Sequence, residues 1–156
     1  MNIGIMVFSR TGHTHTVATR LRDRLSADGH QVSLERLLIE GPDYRSATTA
    51  VLSAHPSIAP FDGVVLAGPV NGGRMSAAMN GYLGNVRTLA GKRMALLLTH
   101  FFIRRWGADQ TIEQMTEVVA SKGGTVSGSG SVRWRGPGRG RRIASAIDAV
   151  AECFPS

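Results

Sequence analysis

Along the chain, short apolar runs alternate with segments whose apolar residues recur at helical spacing, the pattern of parallel βαβ units. The first run, Ile3 to Phe8, is apolar throughout except Gly4, as expected of a strand covered on both faces. A polar turn, Ser9–Thr14, follows it. Val17, Leu21 and Leu25 then stand four apart with Arg20, Arg22 and Arg24 between them, which predicts an amphipathic helix ending near Asp28-Gly29. Gln31–Ile39 reads as a second strand stopped by Gly41-Pro42, with a short helix around Tyr44–Leu52 before His55-Pro56. Phe61–Ala67 is a third strand closed by Gly68-Pro69, and Met75–Leu89 reads as helix in spite of Gly81 and Gly84. Arg93–Thr99, entered through Gly91-Lys92, is another buried strand. Ile112, Met115 and Val119 share one face of a helix from Ala108 to Lys122 that Gly123-Gly124 terminates. Thr125–Trp134 reads as a weaker strand because Gly128 and Gly130 interrupt it. Ile143, Ile147, Val150, Ala151 and Phe154 have the spacing of a last helix.

Five strands alternating with about five helices, with no internal repeat and no Pro/Gly/Ser-rich linker, imply one three-layer, doubly wound α/β domain over residues 1–156. Composition agrees: 42% hydrophobic and 19% charged residues supply a core and exclude a disordered class. No run approaches the ~18 apolar residues of a membrane span. The single cysteine, Cys153, excludes an internal disulfide and a Cys-rich metal site, and reads as a structural or exposed thiol on the last helix. The N-terminus enters a strand-like run with no signal-peptide pattern, so the expected location is cytoplasmic. No His/Asp/Glu spacing suggests a metal site, and no Gly-x-Ser-x-Gly elbow suggests a hydrolase.

In a sheet of this kind ligands bind at the carboxyl ends of the strands, where three loops hold chemistry. The first, Ser9-Arg10-Thr11-Gly12-His13-Thr14, offers three hydroxyls, a glycine and a row of amides aimed by a helix dipole, which makes it a phosphate cradle. It lacks both the Walker lysine and Gly-x-Gly-x-x-Gly, which favours a phosphomonoester over ATP or a pyrophosphate. The same residues also suit a plain helix cap. The second loop, Pro69-Val70-Asn71-Gly72-Gly73-Arg74, provides backbone groups and glycines for close approach to a flat polar ring, or simply a tight turn. The third, Thr99-His100-Phe101-Phe102-Ile103-Arg104-Arg105-Trp106-Gly107, places aromatic rings after a buried strand, a platform for stacking, although Phe102 and Ile103 also read as core.

With these motifs the chain resembles the flavodoxin-like family, over nearly its whole length. The resemblance rests on Ser9–Thr14, the strand Gly63–Ala67 running into Gly68-Pro69-Val70, the Gly91-Lys92-Arg93 entry to the next strand and its Thr99 exit. It implies a five-stranded parallel sheet in the order 2-1-3-4-5 with helices on both faces, and FMN as cofactor. Ser9, Thr11, Gly12, His13 and Thr14 would hold the phosphate with Arg10 adding charge. Pro69, Val70, Asn71, Gly72 and Gly73, together with Thr99, His100, Phe101, Trp106 and Gly107, would clasp the isoalloxazine ring. No residue is needed as a catalytic acid or base. Three functions stay open: electron transfer with a redox partner protein, NAD(P)H-dependent quinone or flavin reduction, and a flavin-free interaction module.

Charge separates this chain from the family's acidic carriers. Sixteen arginines and two lysines outweigh 11 carboxylates, giving a formal charge of +7 and a pI near 11.0, which attracts phosphates, nucleic acid and acidic proteins. Arg10, His13, Arg74, Arg104 and Arg105 lie in the three loops, where positive charge favours an anionic reduced flavin and a less negative hydroquinone potential. Arg133-Trp134-Arg135-Gly136-Pro137-Gly138-Arg139-Gly140-Arg141-Arg142 is a second basic cluster. It reads as a solvated loop before the last helix, with nucleic acid, an acidic partner or a nicotinamide cofactor phosphate as the alternatives.

Overall fold

A computed structural model describes residues 1–42 and 47–156. Its main sheet is parallel, built from β1 (Asn2–Val7), β2 (Gln31–Arg36), β5 (Gly63–Asn71), β7 (Arg93–His100) and β8 (Thr125–Arg133) in the order β2-β1-β5-β7-β8. Counting only these five strands along the chain, the order is 2-1-3-4-5, as the resemblance implies. The intervening helices are α1 (His13–Ala27), α2 (Ala77–Asn85), α3 (Ala108–Ser121) and α4 (Arg139–Ala151).

Alternation along the central strands assigns the layers. Ile3, Ile5, Val7, Val65, Ala67, Ala95 and Leu97 pack with α1 and α4 on one face, where Val17, Leu21, Leu25, Ile143 and Val150 complete the core. Met6, Val64, Leu66, Met94, Leu96 and Leu98 pack on the other face with Met79, Tyr82 and Leu83 of α2 and Met115 and Val119 of α3. Each fully buried aliphatic side chain contributes roughly 1.5–3 kcal/mol of transfer free energy. Both faces are covered, which is why the central strands read as continuous apolar runs instead of alternating ones.

Several boundaries differ from the sequence reading. The second strand ends at Arg36, and Leu38–Ile39 forms β3, paired antiparallel with β4 (Leu52–Ala54) in a small separate sheet. Of the short helix read around Tyr44–Leu52, Tyr44, Arg45 and Ser46 lie outside the described residues. From Ala47 to Val51 the chain is irregular and then enters β4, so the described part is not helical. The third strand is not closed by Gly68-Pro69 but runs on to Asn71 and turns into β6 (Arg74–Met75). The helix after it starts later, because the Ser76 hydroxyl caps it by accepting from the Met79 amide. Phe154 lies beyond α4 yet is buried, its ring filling the space left by the missing side chain of Gly63.

The ladder of the last strand does shift register at Gly128, skipping Ser127, and its glycines also have a packing role. A Cβ on Gly130 would stand 2.5 Å from the Ala146 carbonyl oxygen, and one on Gly128 would stand 2.7 Å from the Cys153 sulfur. Both glycines let α4 and its C-terminal turn lie directly on β8. Cys153 is buried there, its thiol donating to the Ala149 carbonyl, and burial pushes its pKa up.

Candidate functional site

The three loops converge where β1, β5 and β7 end. Ser9 organises the first from within: its hydroxyl oxygen accepts from the amides of Gly12 (3.1 Å) and His15 (3.2 Å). Gly12, at φ +91°, is the N-cap of α1 and contributes no side-chain cap. The first intrahelical bond runs from the Thr16 amide to the Gly12 carbonyl, so the amides of His13 and Thr14 have no acceptor within the helix. Thr14 is buried, and its hydroxyl shares a 2.7 Å hydrogen bond with that of Thr99 at the exit of β7, tying the first loop to the third.

In the second loop, Asn71 and Arg74 pair across a two-residue turn whose glycines both have positive φ (Gly72 +59°, Gly73 +78°), as a type I′ hairpin requires. The tight-turn reading is thus the local structure, and the turn presents its backbone to the cleft. A side chain at Gly72 would meet nothing within 4 Å.

Between the loops lies an open cleft of about 180 Å³. Arg10, Thr11, His13 and Thr14 line one side of it and Pro69, Val70, Asn71 and Gly72 another. Thr99, His100 and Phe101 close it, together with Phe102 and Trp134. Ser9 and Gly12 shape the first loop from outside the lining. Gly73, Trp106 and Gly107 border a neighbouring depression instead. A Cβ on Gly107 would stand 3.2 Å from the Val70 side chain, which would have to give by a few tenths of an ångström. A short 3-10 turn, Arg104–Trp106, carries Trp106 outward to 63% exposure.

Trp134 is the cleft residue that sequence reasoning assigned elsewhere, to the basic cluster. Its amide extends the β8 ladder by donating to the His100 carbonyl (2.8 Å), and its ring stacks on His13 at 4.0 Å with 13° between planes. The Arg139 guanidinium lies over the Trp134 ring, 4.6 Å from its centroid, and Phe101 meets His13 edge-on. The signal was available: Trp134 stands at the carboxyl end of the fifth strand, where the fold places ligands.

The basic cluster is braced, not loose. The Arg142 guanidinium donates to the main-chain carbonyls of Arg133, Arg135, Gly136 and Pro137, fixing the turn that leads into α4.

Burial sets the direction in which both site histidines shift. Burial holds His13 below the usual imidazole range, and Arg139 adds to the effect. Burial also lowers His100, with Arg104 and Arg133 pushing the same way against a hydrogen bond to the Phe102 carbonyl. Because a carbonyl can only accept, His100 Nδ1 donates to it and Nε2 is left as the acceptor. That Nε2 and the Nε of Arg133 are buried without a hydrogen-bond partner. Among the described residues, no group of three or more His, Cys, Asp or Glu side chains could hold a metal ion.

No family model and no curated protein matches the chain by sequence. Its structure is similar to those of flavodoxins. Two-electron reduced Megasphaera elsdenii flavodoxin superposes with a TM-score of 0.65 at 20% identity, over 96% of this chain and 98% of that one. Fusobacterium nucleatum flavodoxin bound to flavin mononucleotide gives 0.59 at 16% identity, over 94% and 95%. The Trp repressor binding protein of Bacillus subtilis gives 0.69 at 14% identity, over 99% and 100%. The chain has the flavodoxin-like fold, with the strand order and the helices on both faces that define it.

Proposed function

We propose that the chain binds FMN in the cleft and serves in electron transfer. The observation that carries this reading is the first turn of α1, which opens onto the cleft with two amides lacking intrahelical acceptors, in a lining that Thr11 and Arg10 share. A phosphomonoester fits such a donor set, and the flavodoxin of Fusobacterium nucleatum with the same fold is described as bound to flavin mononucleotide. The Asn71–Arg74 hairpin offers main-chain groups to the polar edge of the ring, and the half-exposed Phe101 offers an aromatic face, while the Trp134 ring is already stacked on His13.

When bound, the flavin would supply the electron chemistry, and the residues around it would bind, orient and tune it. Thr11, His13 and Thr14 belong to the phosphate side, with Ser9 and Gly12 shaping the loop. Pro69 to Gly73 and Thr99 to Phe101 belong to the ring side, while Trp106 and Gly107 shape its outer edge. The cleft is smaller than the ~300–1,000 Å³ of pockets that engulf an organic ligand, so part of the ring stays in solvent beside Phe101 and Phe102. An open edge suits exchange of electrons with another protein.

Titration of the purified chain with FMN, followed by flavin fluorescence, tests it. Saturable quenching at one flavin per chain, weakened by Thr11→Ala, is the expected result. Absence of binding at high FMN concentration overturns the reading.

A further inference from the structure

Beyond the cleft lies a surface whose composition and rigidity call for a partner. An open depression of about 430 Å³ separates the Phe101–Trp106 segment from the turn that follows β8. Its floor is Phe101, Phe102, Ile103 and Trp106, and its far wall is Arg133, Arg135 and Gly136. Phe101, Phe102 and Trp106 are 49%, 66% and 63% exposed, although aromatic rings of this size are ordinarily buried. Among the described residues no carboxylate lines the depression, and the nearby Asp109 is engaged by Arg104 at 3.1 Å. Arg105 stands beside Trp106, its guanidinium 5.8 Å from the ring centroid.

We infer that this depression docks an acidic protein, one that presents an apolar side chain ringed by carboxylates. Three observations favour that occupant. The surface combines arginine with aromatic residues and lacks lysine, the composition of protein interface cores. Both lysines of the chain are occupied elsewhere, Lys92 donating to the carbonyls of Ala59 and Phe61 and Lys122 to that of Val86. The basic wall is also preorganised by the four carbonyls that Arg142 holds, which reduces the entropy lost when a folded partner docks. A single-stranded nucleic acid would need a track of cations along several phosphates, whereas the cations here surround an apolar centre. The docking rests on the flavin reading for its purpose, since Phe101 and Phe102 border both cleft and depression, but not for its physics.

The test uses an acidic iron–sulfur ferredoxin as probe and basic cytochrome c as its opposite. Binding to the full chain, with and without FMN, is measured by isothermal titration calorimetry at about 20 and about 300 mM salt. The ferredoxin should bind and weaken by about tenfold at the higher salt. Arg105→Glu with Arg135→Glu should weaken low-salt binding by about tenfold or more. Arg20→Glu with Arg87→Glu, the same charge change on remote exposed positions, should weaken it by about twofold at most. Trp106→Ser should weaken binding at both salts. Equal losses from the local and remote pairs, tighter binding of cytochrome c, or binding of a single-stranded oligonucleotide but not the ferredoxin through Arg105 and Arg135, would overturn the proposal. Ferredoxin binding by a chain that takes up no FMN would uphold the surface and overturn the cofactor reading alone.

Discussion

The two ends of the parallel sheet use positive charge in opposite ways. Where the strands begin, cations and polar groups close the structure. Lys92 bridges two carbonyls, Lys122 holds the end of α2, Arg93 donates to the Cys153 carbonyl, and Asn2 reaches Pro60 and Asp62. Where the strands leave, two polar atoms are buried without partners, three aromatic rings face solvent, and arginines border open space. The first end spends its donors on the fold, and the second keeps groups that a ligand or partner would satisfy.

The contrast breaks most visibly in paired aromatic truncations. Phe61, buried against Gly4 at the closed end, should lose about 3–5 kcal/mol of stability on Phe61→Ala. Phe102→Ala at the open end should lose about 0.5 kcal/mol or less. Urea denaturation of the two variants checks this, and comparable losses would abolish the distinction.

A smaller effect is expected where the open end is most fold-like. Thr14→Val strands the buried Thr99 hydroxyl and should cost about 1–3 kcal/mol, while Thr14→Val with Thr99→Val should recover part of that loss. A double-mutant cycle in denaturant measures the coupling directly.

Cations give the third comparison. Lys92→Met should cost about 1–2 kcal/mol by leaving two carbonyls without their charged donor, whereas Arg135→Met should stay within about 0.5 kcal/mol. Thermal unfolding of the two purified variants resolves the difference.

The smallest expected effect is the pH dependence that His13 and His100 bring to the open end. His13 and His100 titrate below the usual imidazole value of 6.5 in the fold, so the unfolded chain takes up protons first as pH falls. Their contribution is complete above that value and is lost as pH falls through it toward the folded pKa values. The melting temperature should therefore decline from pH about 7.5 to about 5, and His13→Asn should flatten the decline.

Much of this architecture is legible in residue spacing. Strands covered on both faces leave unbroken apolar runs, so Ile3–Phe8 and Arg93–Thr99 declare themselves, and Ser9–Thr14 marks the turn from the first strand into the first helix. What escaped detection depends on tertiary contact. The glycines of β8 read as interruptions because nothing local reveals the backbone of α4 lying on them. The β3–β4 pair is too short to carry a period. Trp134 reads with the arginines beside it in sequence because its stacking partner, His13, follows a different strand of the sheet. Arg142 likewise reads as solvated charge until the four carbonyls around it are in place.

The occupation of both lysines has a chemical consequence. Lysine amines are the targets of acylation and methylation, and here each side-chain amine already donates to main-chain carbonyls. The remaining positive side chains, histidine aside, are guanidinium groups, which stay protonated at any physiological pH. Sixteen of the 18 lysine and arginine charges are therefore out of reach of enzymes that erase charge by acetyl transfer, and amine-directed dyes and cross-linkers find few places to attach.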